Sequence, residues 1–307
     1  MEELNLNAKL PAPADSVGAA RDASSEANAG APDAGTAPAI VIEASSGITF
    51  RLGDVWAYRE LLYFLFWRDF KVRYKQTILG ASWAVLQPVA TMAVFTIFLG
   101  RFAKVSSDGI PYSLFVFSGL LPWQLFAFSL TASSGSLVSN THLITKVYFP
   151  RLVIPISSVL VGLVDFMIAS VILVLLMMYH HVTPTPGLLI LPLLVAFAVI
   201  TALAVGLFLS ALNVQYRDVK HTIPFLVQFW MFATPIVYPS SLVPEKWRAL
   251  YGLNPMAGVV DGFRWALFGT STGSGSLILV SVVSVLLILF VGIAYFRRME
   301  RGFADLV

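Results

Sequence analysis

The chain of 307 residues is 57% hydrophobic, with a mean hydropathy of +0.79, and only 12% of its residues are charged, against roughly 25% in an ordinary soluble domain. This composition describes an integral membrane protein. The formal charge of +3 is spread too thinly among apolar runs to track phosphates, which excludes nucleic acid as a partner, and a chain without cysteine has no disulfide, thiol nucleophile or thiolate metal site.

Residues 1–49 hold no Phe, Trp or Tyr, and LPAPADSVGAARDASSEANAGAPDAGTAPA contains little that could be buried against a core. A disordered tail is expected there. Nothing in it has the charged and then apolar build of a signal peptide.

Residues 50–79 change texture. Trp56, Tyr63, Trp67, Phe70 and Tyr74 recur at helical spacing, with Arg59, Glu60, Arg68, Lys71, Arg73 and Lys75 between them. The pattern predicts an amphipathic helix in the membrane interface, with its rings at headgroup level and its cations facing anionic lipid. A helix packed on a protein partner fits the pattern too.

From residue 80 to 307 the chain reads as an all-α membrane domain. Six stretches approach the length of about 20 apolar residues needed for a span: Ala81 to Leu99, Tyr112 to Val138, Leu152 to Met178, Leu188 to Leu212, the short Ile223 to Tyr238, and Leu277 to Phe296. Between the last two, PSSLVPEKWRALYGLNPMAGVVDGFRWALFGTSTGSGS is too broken by Pro and Gly to span and too apolar for an ordinary loop. Short re-entrant helices shielded by protein are expected there.

Lys and Arg set the orientation. Arg68, Lys71, Arg73, Lys75, Lys146, Arg151, Arg217, Lys220, Arg297, Arg298 and Arg301 flank one side, and Arg101, Lys104, Lys246, Arg248 and Arg264 the other. The excess puts both termini in the cytoplasm. RDFKVRYKQ then anchors the first span on that side.

No Gly-Lys pair occurs in the sequence, so the phosphate-cradling G-x-x-x-x-G-K-[ST] loop is absent. Any ATP chemistry has to come from another subunit, and neither cofactor nor catalytic residue is expected in this one. His180 and His181 adjoin an outer loop without a third ligand nearby and read as a solvated pair. Asp165 is the acidic residue deep within an apolar run, about 20 Å along its helix from Arg151 at roughly 1.5 Å per residue. A buried charge in a membrane needs a partner or water, so Asp165 is either a hydrogen-bonded brace or part of a relay. Two aromatic stripes stand out, Phe225, Phe229 and Phe232 on the fifth span, and Phe115, Phe117, Trp123, Phe126 and Phe128 on the second. They are core or lipid-facing, or they line a path whose ring faces suit sugars.

Four stretches resemble a known family, in order along the chain: RDFKVRYKQTILGASWAVLQP, LITKVYFPRLVIP, LSALNVQYRDVKHTIPFLVQFWMFATPIVYP and LNPMAGVVDGFRWALFG. They are similar to the membrane subunits of ATP-binding-cassette exporters that move cell-surface polysaccharides such as O-antigen, capsule or teichoic acid chains. The resemblance covers residue 52 to the C-terminus. It implies six spans per subunit, a homodimer in the bacterial inner membrane, two separate ATPase subunits that bind ATP and Mg, and a lipid-linked polysaccharide as cargo. It further implies that Asn140, Thr141, His142, Leu143, Ile144, Thr145, Lys146, Val147 and Tyr148 form a coupling helix seated on the ATPase. By the same resemblance the segment carrying Trp56, Arg59, Trp67, Arg68, Lys71, Arg73 and Tyr74 is an interfacial gate helix, and Asn254, Pro255, Asp261 and Arg264 belong to an outer gate. A secondary transporter would show inverted repeats and paired intramembrane charges. A membrane glycosyltransferase would have to draw its catalytic groups from Glu245, Arg248, Asp261 and Arg264, the region that the resemblance assigns to a gate.

Overall fold

A computed structural model describes residues 52–75, 80–270, 275–300 and 302–303. The expected tail over 1–49 lies outside them, as do 50–51 and 76–79 of the interfacial segment, and Arg301. The described residues are helical, with no strand among them.

In chain order the helices are α1 (Leu52–Ala57), α2 (Arg59–Lys75), α3 (Gly80–Phe95), α4 (Tyr112–Ser139), α5 (Thr141–Lys146), α6 (Val153–Tyr179), α7 (Leu191–Gln215), α8 (Val219–Phe232), α9 (Glu245–Gly252), α10 (Pro255–Phe268) and α11 (Gly275–Glu300). A π-helical turn, Thr96–Phe102, extends α3, and a 3₁₀ turn, Pro186–Ile190, leads into α7. Local chemistry sets several ends. α10 starts where the Asn254 side chain accepts from the Met256 amide and Pro255 takes the first turn, where no amide is needed. It stops at Gly269, whose φ of 71° is a left-handed cap that a side chain would strain.

α4 is the axis of the fold. Of its most apolar 18-residue window 78% is buried, against 6% for Ser82–Phe102, so α4 is a core helix and α3 lies at the periphery. α4 packs on α6, α7 and α10, and α11 packs on α7. Phe115, Phe117, Trp123 and Phe126 are buried with Ala198 and Ala202 of α7 and Val259 and Phe263 of α10. Four of the five rings in the stripe of the second predicted span are therefore core, and Phe128 is half-buried. A second cluster joins Leu65 of α2, Ile144 of α5, Phe149, Val153 and Phe296. The helices meet closely where side chains are small: a Cβ on Gly292 would collide with the Ala204 carbonyl.

Five helical stretches are long and apolar enough to cross a membrane: Ser82–Phe102, Tyr112–Ser139, Val153–Tyr179, Pro186–Gln215 and Leu279–Glu300. The fifth of the six expected spans differs. α8 has 14 residues, about 21 Å at 1.5 Å per residue, short of a hydrocarbon core of about 30 Å. Its helix ends at Phe232, and Thr234 and Pro235 follow as a turn, because proline has no amide to continue the ladder.

α2 also departs from expectation. Its apolar and charged residues are mixed around the helix instead of being sorted onto two faces. Arg68 and Arg73 have partners on other helices, while Tyr63, Phe64 and Trp67 are exposed.

Candidate functional site

Three groups of candidate residues fall at separate places along the bundle. At the Ser139 end of α4, α5 covers the gap to α6. Ile144 is buried and Leu143 half-buried against the second cluster, which leaves His142, Thr145, Lys146, Val147 and Tyr148 exposed together. Tyr148 is 77% exposed, a large ring offered outward. The segment is held from both sides. Asn140 donates to the Ser136 carbonyl at 2.8 Å and accepts from Arg68 of α2 at 2.8 Å. Beyond Tyr148, Arg151 donates to the Glu300 carbonyl at the end of α11, with its guanidinium 5.7 Å from the Phe303 ring.

The second group lies along α2. Tyr63, Trp67, Phe70 and Tyr74 form a ladder, with ring centroids 6.4, 5.4 and 4.7 Å apart in turn. Lys71 sits 5.3 Å over Trp67. Arg59 and Trp56 are exposed and outside this ladder. At its far end the ladder meets Asp165 of α6: Arg73 donates to it at 2.6 Å, Tyr74 donates to its other oxygen, and Arg73 also lies 4.3 Å over the Phe128 ring of α4. Burial, with the bond to Asp165 second, pushes the Tyr74 phenol up to about 12. The Asp165 side chain is 18% exposed, so its partners, more than solvent, carry its charge.

The third group stands at the Tyr112 end. Asn254 accepts from the Trp230 indole at 2.8 Å and donates to the Ala233 carbonyl and the Thr234 hydroxyl at 3.1 and 3.0 Å, tying the start of α10 to the end of α8. Pro255 is buried in the first turn of α10. Arg264, 2% exposed, donates to the carbonyls of Pro235, Ile236 and Phe115 at 2.6, 2.7 and 3.3 Å, lies 3.6 Å over the Phe115 ring, and has Asp261 at 3.9 Å. Arg264 is therefore a clamp inside the protein, whereas the charge pattern counted it as a flanking cation. An arginine within the run GVVDGFRWALFG was itself the signal, since a charge among apolar residues must find partners.

Phe225, Phe229 and Phe232 share an exposed face of α8, at 71%, 66% and 56% exposure. His180 does not stand free: its ring lies 3.0 Å from the Ser113 hydroxyl. Among the described residues no group of three or more His, Asp or Glu could hold a metal. The pairings Arg68–Asn140, Arg73–Asp165 and Trp230–Asn254 span 72, 92 and 24 residues of chain, and no local pattern announces them.

A bundle with five helical stretches long and apolar enough to cross a membrane, and with α2 tied by Arg68 to an exposed helical loop, has the build of a multi-pass membrane protein. The chain belongs to the ABC-2 type transporter family, whose membrane-domain model matches residues 60–268. It is 32% identical over 256 residues to the O-antigen export system permease protein RfbA of Myxococcus xanthus, covering 82% of this chain and 97% of that protein. It is 30% identical over 249 residues to the protein of the same name from Klebsiella pneumoniae, covering 81% and 95%. The polysialic acid transport protein KpsM of Escherichia coli is 25% identical over 246 residues, 78% of this chain and 93% of that protein.

Proposed function

We propose that the chain is the membrane-spanning subunit of an ATP-driven exporter of lipid-linked cell-surface polysaccharide, O-antigen or capsule, working in the bacterial inner membrane. The names of the two kinds of relative support the cargo class. The observation that carries the mechanism is the Arg68–Asn140 bond, which joins the exposed α5 loop to the interfacial helix. A separate ATPase, bringing its own ATP and Mg, docks two copies on the faces formed by His142, Thr145, Lys146, Val147 and Tyr148. Displacement of α5 reaches α2 through Arg68 and α6 through Arg73, Tyr74 and Asp165, so hydrolysis moves helices that border the cargo.

Two copies of the chain form the conduit. α3 and α8 present exposed rings and aliphatic side chains, among them Phe98, Phe102, Phe225, Phe229 and Phe232, and pairing these faces buries them while leaving rings along a path that binds sugars without holding them tightly. α8 with the turn after it serves as a short sixth span, α9 and α10 as the outer gate, and both termini lie in the cytoplasm. The chain is a transport subunit and not an enzyme.

Co-expression with an ATPase of the same exporter class tests this reading. Lys146→Glu with Tyr148→Ala should lower recovery of the ATPase on purification, or leave it bound while hydrolysis no longer drives export. Full assembly together with full export in that variant would reject α5 as the docking loop.

A further inference from the structure

α11 is held near both of its ends by segments that carry candidate residues. At the Ser139 end Arg151, at the base of the loop that holds α5, donates to the Glu300 carbonyl from its guanidinium and to Glu300 Oε1 from its amide, the latter at 3.4 Å. Just past Glu300 the Gly302 amide donates to the Met299 carbonyl at 3.0 Å, closing a turn that brings Phe303 back into the protein. Phe303 is 0% exposed, with its ring centroid 5.4 Å from that of Phe296 and 5.7 Å from the Arg151 guanidinium. It shares a buried cluster with Ile144 of α5, Phe149 and Leu65 of α2. The proposed docking loop therefore packs against the end of α11.

Towards its other end α11 holds the junction of α9 and α10. Gly252 ends α9 and Leu253 follows it, so neither carbonyl has a donor within that helix. Ser281 and Ser284 of α11 supply one each, at 3.1 and 2.9 Å. Gly258 of α10 leaves the space that Ser281 takes, since a Cβ there would lie 2.7 Å from its hydroxyl. Between these two grips α11 runs as one α-helix without proline, whereas α3, α4 and α8 each contain one. Sharp kinks concentrate at proline, and Ser284 and Glu300 stand about 24 Å apart along this uninterrupted helix at 1.5 Å per residue. Packed side chains and rigid helices are what carry coupling over such distances. We propose that α11 is a connecting rod between the docking loop and the outer segment, with Phe303 and Arg151 as positioning residues at one end and Ser281 and Ser284 at the other. Displacement of α5 reaches α11 through Phe149 and Phe303, and α11 carries it to the start of α10. The rod follows from the contacts at its two ends, while its part in export rests on the transport reading above.

Amide hydrogen exchange of the purified full chain, read by mass spectrometry, tests the rod, because coupling between two sites is reciprocal. Phe303→Ala should raise exchange several-fold over residues 140–151, beside it, and also over 252–256, at the opposite end of α11. Ser281→Ala with Ser284→Ala should raise it over 252–256 and, in return, over 140–151. The loop over 104–110, at the Tyr112 end, should keep its native rate in both variants. Absence of the distant rise in either variant makes the two grips local packing and overturns the proposal, as does a rise that extends to 104–110, which marks general loosening. Should Phe303→Ala fail to fold, Phe303→Leu, which keeps the apolar burial and removes the ring beside Arg151, is read in the same way. No ATPase takes part in this measurement, so failure of the rod leaves the docking reading to its own co-expression experiment.

Discussion

Asp165 shows how a single charge is kept in an apolar helix. Moving a carboxylate out of water costs several kcal/mol, and the cost is met only when geometry and additional hydrogen bonds are good; here one guanidinium and one phenol supply them. Asp165→Ala should free Arg73 and Tyr74 and loosen α2, read as faster proteolysis or stronger labelling of a cysteine placed at Trp67. Reversing the pair, Arg73→Asp with Asp165→Arg, should restore part of the protection if the charge contact is what matters. The Tyr74 phenol carries a pH dependence of known sign. Its folded value lies above the usual 10, so the neutral form favours the fold; that contribution is complete below about pH 10 and is lost as pH rises through about 12. The native protein should therefore lose thermal midpoint between those values more steeply than Tyr74→Phe, and identical alkaline slopes would remove Tyr74 from the account. Arg264→Met should cost about 3–5 kcal/mol, the penalty for breaking a buried charged cluster by removing one partner.

Among the helices, close approach depends on small residues because there is no water to drive association inside lipid. Gly292 lies against the Ala204 carbonyl, whereas a Cβ on Gly135 would meet nothing within 4 Å. The two glycines make a controlled pair. Gly135→Ala should be neutral or add about 0.5–1 kcal/mol through helix propensity, while Gly292→Ala should separate α7 and α11 and cost about 1–3 kcal/mol, both measured as shifts of thermal midpoint in detergent. α2 is the element whose character a pattern could not settle. Aromatic spacing announces a helix with rings on it, but the inward turn of Arg68 and Arg73 depends on Asn140 and Asp165, far along the chain.

For the whole molecule the testable property is its topology. Cysteines placed one at a time at Ser106 and Thr183, both exposed at the Tyr112 end, should label from outside intact cells, and those at Thr145 and Asp218, exposed at the Ser139 end, should not. The reverse pattern would turn the proposed orientation over, and labelling of Thr145 and Thr183 from the same side would remove α6 as a span.

Much of this architecture is written in composition and period. The membrane class, five of the six expected apolar spans and the broken segment after α8 follow from runs of neighbouring residues, because hydrophobic length and proline act locally. The resemblance also marks the loop from Asn140 to Tyr148, of which His142, Thr145, Lys146, Val147 and Tyr148 are exposed. Three features needed the folded chain. α4 is a core helix and α3 a peripheral one although both are apolar, since burial depends on which helices surround a segment. Phe115, Phe117, Trp123 and Phe126 of α4 are packed inside while Phe225, Phe229 and Phe232 of α8 are exposed, although both sets recur at helical spacing. Arg73 and Arg264 read as flanking cations until folding brings Asp165 to one and three backbone carbonyls to the other. A charge's place in a membrane protein is decided by partners distant in sequence, because only they can replace the water it gives up.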